Sequence, residues 1–449
     1  MTDLTTTYPR TMPLKPVVLT CLALSVVLVS VIAQLPFVVI AIAILITLVV
    51  QVADRSLGTV FLIVASLHAT LSYLSIILGG VIGAHADSNV AAFALEAYQV
   101  YFFGIAAMII GYGVSRSRTV SWRPLVLEPG RIDSLTLGLS VAGILLIAYV
   151  FNQIGFVQMV LTGTFDRYFG EAQVGPSYTL YQSLLRKALA VLGITIPILL
   201  LRWQVSRSKY LLATACVGLI AIVATAHRGY VAVTVLSFVV TNAFYGRNRK
   251  AIVIIVLLLA IAFFSAQAVY VNIDTNSDNL LVNTAFVLRS ASTEVNDLAW
   301  VLAEWNRHWY FGRTWLAGVW PVPATMSKFK DTYVLPSVTK DVAGIPRDAG
   351  GGGLRISMFG EAYLNFGYLG VVALGLVFGV VVRKTNSLIA WAKPQGPLVL
   401  FPFIFFYMVA LCQTYLSGSA TLADAILSCL VMSFVYFSST QRAGAVAAR

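Results

Sequence analysis

Apolar runs of bilayer length, repeated along nearly the whole chain, constrain this sequence more than any other feature. Twelve such runs, each of roughly 17 to 23 residues, stand at about 17–34, 36–53, 58–81, 95–114, 135–154, 184–201, 210–226, 229–245, 251–272, 361–382, 397–416 and 422–438. A helix of about 20 apolar residues crosses the hydrocarbon core of a bilayer, and in lipid only helices or closed barrels satisfy every backbone group. Continuous runs, not alternating ones, select helices. The first run follows Arg10 and Lys15 and has no small-x-small cleavage site before Pro36, so it reads as a retained span.

With 59% hydrophobic and 11% charged residues among 449, and a mean hydropathy of +0.86, the chain belongs with polytopic membrane proteins. The net charge of +12 raises nucleic acid as a partner, but its placement argues otherwise. Of the 30 lysines and arginines, 18 fall in alternate short loops and tails, from Arg10 and Arg55 through Arg116, Arg131, Arg202 and Arg247 to Arg383, Lys393 and Arg442. The opposite short loops hold only Arg167, Arg228 and the edge pair Arg186 and Lys187. That asymmetry places both termini in the cytoplasm. The four cysteines sit in or beside apolar runs without metal-ligand spacing, and read as buried thiols.

The expected architecture is an all-α polytopic membrane protein with about twelve transmembrane helices. It divides into a first bundle (1–272), one large outer loop (273–360) and a last group of spans (361–449). The outer loop balances eight basic against eight acidic residues, which suits folded structure. Val295, Leu298, Ala299, Leu302 and Trp305 recur at helical spacing, so 292–308 is expected to be an amphipathic helix. It either lies in the interface plane or packs on the spans. Pro321 and Pro323 exclude a regular helix just after.

No soluble-type catalytic motif is present, and the four histidines are scattered; His68, in mid-span, reads as a satisfied interior group. Three polar stretches need explaining. In "TAHRGY", His227 and Arg228 divide two runs with almost no loop, and a cation there costs roughly 2.5–3.5 kcal/mol unless it is paired or snorkels. Arg228 therefore either reaches the outer interface or faces an outward-open cavity. In "LTGTFDRYFGEA", Asp166, Arg167 and Tyr168 form local ion pairs or a carbohydrate site. In "DAGGGGLRISMFGEAYLNFGYLG", Gly352 and Gly353 in the glycine run permit close backbone approach to an anion or sugar, and Arg347 and Arg355 can clamp phosphate. Glu361 opens the following span. It is either a charge favoured by the helix dipole or a catalytic carboxylate.

The layout resembles the Wzy-like oligosaccharide repeat-unit polymerases, relatives of the O-antigen ligases. The resemblance rests on a dozen spans, one large outer loop in the second half, the "AHRG" turn, and a glycine-rich approach to an E-x-x-x-N-F-G-x-x-G entry carried by Glu361, Asn365, Gly367 and Gly370. It implies a glycosyltransferase that polymerises undecaprenyl-diphosphate-linked oligosaccharides into O-antigen, capsule or exopolysaccharide on the outer face of the cytoplasmic membrane. No cofactor or metal is implied. Chain-length regulator and flippase proteins would be partners alongside membrane lipids, and nucleic acid would not. Under this reading Arg228 and Arg355 stabilise the departing diphosphate with Arg347, while Arg289 and Arg313 stand behind them. Glu361 is then the leading base, with Glu294 and Asp348 in reserve. Two alternatives remain: an O-antigen-type ligase, and a flippase or transporter of lipid-linked oligosaccharide.

Overall fold

A computed structural model of the chain describes residues 37–53, 56–77, 90–115, 124–154, 176–225, 228–245, 293–320, 327–345 and 354–440. Helices account for nearly all of them, and the described residues contain no strand beyond a single bridge between Leu127 and Thr440. The bundle before the outer loop comprises α1 (Phe37–Val52), α2 (Leu57–Ile77), α3 (Val90–Val114), α4 (Pro129–Ile154), α5 (Pro176–Ser206), α6 (Lys209–Ala224) and α7 (Arg228–Tyr245). Short helices follow: α8 (Glu294–Glu304), α9 (Arg313–Val319), α10 (Lys328–Tyr333) and α11 (Leu335–Val342). The chain then forms α12 (Ser357–Ala392), α13 (Pro397–Phe406), a π-helical stretch (Tyr407–Gln413), α14 (Thr414–Ser417), a 3₁₀ turn (Gly418–Thr421) and α15 (Leu422–Ser439).

Among the described residues, seven stretches are long and apolar enough to cross a membrane: those in α2, α3, α4, α5, α12 and α15, and the run Pro397–Ala420. α1, α6 and α7 contribute shorter apolar helices. Ten of the twelve expected spans thus coincide with described helices, and those at 17–34 and 251–272 lie outside the described residues.

Hydrogen bonds tie together residues that the charge pattern assigns to one side. Near one end, Asn386 of α12 joins Ser56, Gly58 and Tyr112, and Arg383 donates to Tyr112. There too Leu125 N donates to Gln395, and Arg202 holds Asp133 through two bonds of 2.6 and 2.8 Å. None of these groups belongs to the stretches assigned to the outer side.

α12 and α3 form the closest helix pair. A Cβ placed at Gly375 or Gly379 would strike the carbonyl of Gly104 or Met108, and one at Gly111 would strike that of Leu376. Glycine is what lets the two backbones touch, as small residues do in membrane helix pairs. α12 differs from expectation at its start. It begins at Ser357, so the boundary at 360/361 falls inside it, and no acid lies in its first turn. Its 36 residues would measure about 54 Å if straight, well beyond a core of about 30 Å. Non-helical backbone at Phe366 and Gly367 breaks it, with Gly367 at φ 63° beneath the Trp309 ring. The residues before the break pack with the segment around Tyr310–Thr314.

The helix expected at 292–308 forms as α8, but it packs on the spans instead of lying at an interface. Glu294, Asn296 and Asp297 are buried along with Val295, Leu298, Ala299, Val301 and Leu302. Trp305 stacks edge-on with Trp309 and Tyr363. Of the proline stretch, 321–326 lies outside the described residues.

Candidate functional site

The E-x-x-x-N-F-G entry is first of all a latch. Glu361 lies one turn inside α12 and is fully buried, so the expectation of a helix-start charge is corrected. Ser419 grips its carboxylate from the last hairpin, through the amide to Oε2 at 2.7 Å and through the hydroxyl to Oε1. One helical turn on, Asn365 donates to Thr314 Oγ1 at 2.6 Å and accepts from Gly312 N at 2.7 Å. Tyr310 N and Phe311 N donate to the carbonyls of Leu364 and Asn365. Gly418, at φ 58°, cannot carry a side chain because a Cβ would meet Glu361 Oε2. The latch therefore joins the outer loop, the head of α12 and the hairpin before α15. Both oxygens of Glu361 are occupied, which makes it a positioning residue in this arrangement.

The latch sets the outer loop beside a narrow crevice between α5, α7, α13 and α15. Ala190, Gly193, Phe405 and Val409 form its apolar wall, with Tyr230, Asp424 and Ser428 as its polar groups. Tyr230 OH points at Asp424 Oδ2 from 3.4 Å. Lys330 of α10 stands close by, donating to the Trp320 carbonyl at 2.6 Å. Burial holds its ammonium below the ordinary lysine range; Asp424 opposes that shift and Arg186 adds to it. Arg186 and Lys187, in the first half of α5, are exposed. Arg313 stacks over the Tyr333 ring of α10 at 5.3 Å and donates to its hydroxyl.

Arg228 opens α7 two residues before Tyr230, which lines the crevice. Arg355 stands elsewhere: it is exposed, and its amide donates to Asp297 at 2.8 Å. Asp166, Arg167, Tyr168, His227, Arg289, Arg347, Gly352 and Gly353 lie outside the described residues. Among the described residues no cluster of histidine, cysteine or carboxylate has metal-site geometry.

Sequence reasoning did not single out Tyr230, Lys330 or Asp424. Asp424 carried a usable signal, as the one acid inside the last apolar run, because a carboxylate there needs a partner or a task. A second polar cluster also went unread. Arg307, in left-handed backbone at φ 62°, binds Glu96 through bonds of 2.6 and 3.0 Å, and Tyr363 OH donates to the same carboxylate at 2.7 Å. Glu96 holds the Arg307 guanidinium above its ordinary range. No protein-family model matches the chain, and neither does any curated protein or solved structure.

Proposed function

We propose that the chain is a membrane glycosyltransferase that joins lipid-diphosphate-linked oligosaccharide repeat units on the outer side of the cytoplasmic membrane. The observation that carries this reading is a crevice whose polar wall is Tyr230 and Asp424, with Lys330 and Arg186 near enough to act on it electrostatically, beside the helix start that bears Arg228. The crevice is narrow, so a lipid diphosphate would lie across its mouth with its isoprenoid chain in the bilayer. The basic groups would draw in the diphosphate and stabilise the charge it gains on leaving, in a setting of low dielectric.

In the reaction, an acceptor sugar hydroxyl forms a bond to the anomeric carbon of the donor. The bond from that carbon to the diphosphate breaks, and the diphosphate leaves with the electron pair. Asp424 takes the hydroxyl proton; it faces the crevice, while both oxygens of Glu361 are engaged by Ser419. The expected result of neutralising the cations follows. Arg186→Ala combined with Lys330→Ala should cut undecaprenyl diphosphate release from lipid-linked repeat units by about 100-fold, the scale of losing charge stabilisation at a transition state. Release at the parent rate from the folded double variant would remove the crevice from the chemistry.

One observation favours the transporter reading. The break in α12 and the π-helical stretch after α13 are interruptions of the kind transporters use to form substrate sites. Movement of the intact lipid without release of diphosphate is its distinguishing outcome.

A further inference from the structure

Two acids in the first turn of α8 would ordinarily be read as dipole partners. Glu294 is more than that, because it is 4% exposed and its Oε2 lies 3.2 Å from His68 Nε2 of α2. The contact unites two groups 226 positions apart (294 minus 68), deep in the bundle.

Around the pair, α8 is fastened at several points. Val295 N donates to Ser72 Oγ of α2 at 3.0 Å. Tyr101 OH of α3 donates to the Ile356 carbonyl at 2.6 Å and sits 3.2 Å from that of Glu294. Asp297 accepts from Arg355 N, which ties α8 to the segment entering α12. The charged or titratable groups around Glu294 are His68 from α2, Tyr101 from α3, Tyr415 from α14, Asp297 on α8 itself and Arg355 before α12. α11 also touches α8 and carries Lys340 and Asp341.

The charge count decides which state the site can hold. With no proton on the pair, Glu294 is a buried anion close to a second anion, Asp297. With two protons, the pair carries a net positive charge on a half-buried imidazole. With one proton the pair carries no net charge, whichever atom holds it, and that state costs least in a low dielectric. We infer that His68 and Glu294 together hold one dissociable proton, and that this proton fastens α8, and through it the segment entering α12, to the transmembrane bundle.

The sign follows from Glu294, whose carboxyl is pushed from 4.5 up to about 8, by burial first and then by Asp297. A raised acid favours the docked state at low pH, and that advantage is lost as pH rises through about 8. The docked form therefore binds a proton that the undocked carboxyl has lost, over the range from 4.5 to about 8.

Amide exchange of α8 in the detergent-solubilised full chain tests this, with wild type compared with Glu294→Gln at matched pH so that base catalysis cancels. Glutamine holds no titrating proton. The ratio of wild-type to variant exchange should rise with pH, by up to about tenfold per unit, and level off above about 8. A constant ratio overturns the inference. If Glu294→Gln does not fold, His68→Gln decides. Without the imidazole the carboxyl has no partner with which to share the proton, so the rise should move along the pH axis, and a window unchanged from wild type overturns the shared proton.

Discussion

Glu361→Ala is expected to release the outer loop from the bundle and to lower stability by about 3 kcal/mol or more. The alanine would leave the Ser419 amide and hydroxyl buried without their acceptor, and each hydrogen bond to a charged group contributes roughly 1.5–3 kcal/mol. Net stabilities of folded domains are only about 5–15 kcal/mol, so the loss is a large fraction. Thermal unfolding in detergent should show it directly. Glu361→Gln separates the two roles considered for this residue. An amide still accepts from Ser419 N, so a positioning residue replaced by glutamine should keep the fold and most of the turnover. A folded but inactive Glu361→Gln would assign Glu361 to the chemistry and contradict the latch as its main task.

Gly379→Leu should prevent folded protein from accumulating at all. Its Cβ would meet the Met108 carbonyl and the Tyr112 amide, which are backbone and cannot swing aside. Gly104, Gly111 and Gly375 continue the same contact, so α12 and α3 would have to separate along several turns. Overpacking typically costs about 1–3 kcal/mol when side chains can adjust, and here the obstruction is the neighbouring helix itself. Gly138 of α4 is the matched control, because a Cβ there meets nothing within 4 Å. Gly138→Ala should be neutral or gain up to about 1 kcal/mol from helix propensity. Equal yields of Gly379→Leu and Gly138→Leu, measured by size-exclusion chromatography, would show that the close approach is not required.

What the sequence disclosed follows the range of the forces involved. Spans are written locally, as unbroken apolar runs, and the helices at 58–81, 95–114 and 422–438 fell close to where hydropathy put them. The period of Val295, Leu298 and Leu302 likewise exposed α8. Its partner face was not legible, because burial of Glu294 and Asp297 depends on α2, α3 and the segment before α12, all remote in sequence. His68 drew notice as an interior polar group and Glu294 as a reserve carboxylate, yet nothing local says that they meet. Glu361 shows the same limit in sharper form. Its motif was visible, while its meaning depended on Ser419, 58 residues away. The break at Phe366 and Gly367 explains the N-F-G part of that motif in conformational terms, since only glycine takes φ 63° there without strain. Asp424 was legible in principle, and its partners Tyr230 and Lys330 were not.

The central claim is that lipid-linked repeat units are joined at the outer crevice. Purified protein in liposomes, supplied with undecaprenyl-diphosphate-linked repeat units, tests it most directly when the products are resolved by length. The account predicts a ladder of lengthening lipid-linked glycans, with undecaprenyl diphosphate released at each step. Intact repeat units that cross the bilayer without lengthening would contradict it and establish the transporter instead.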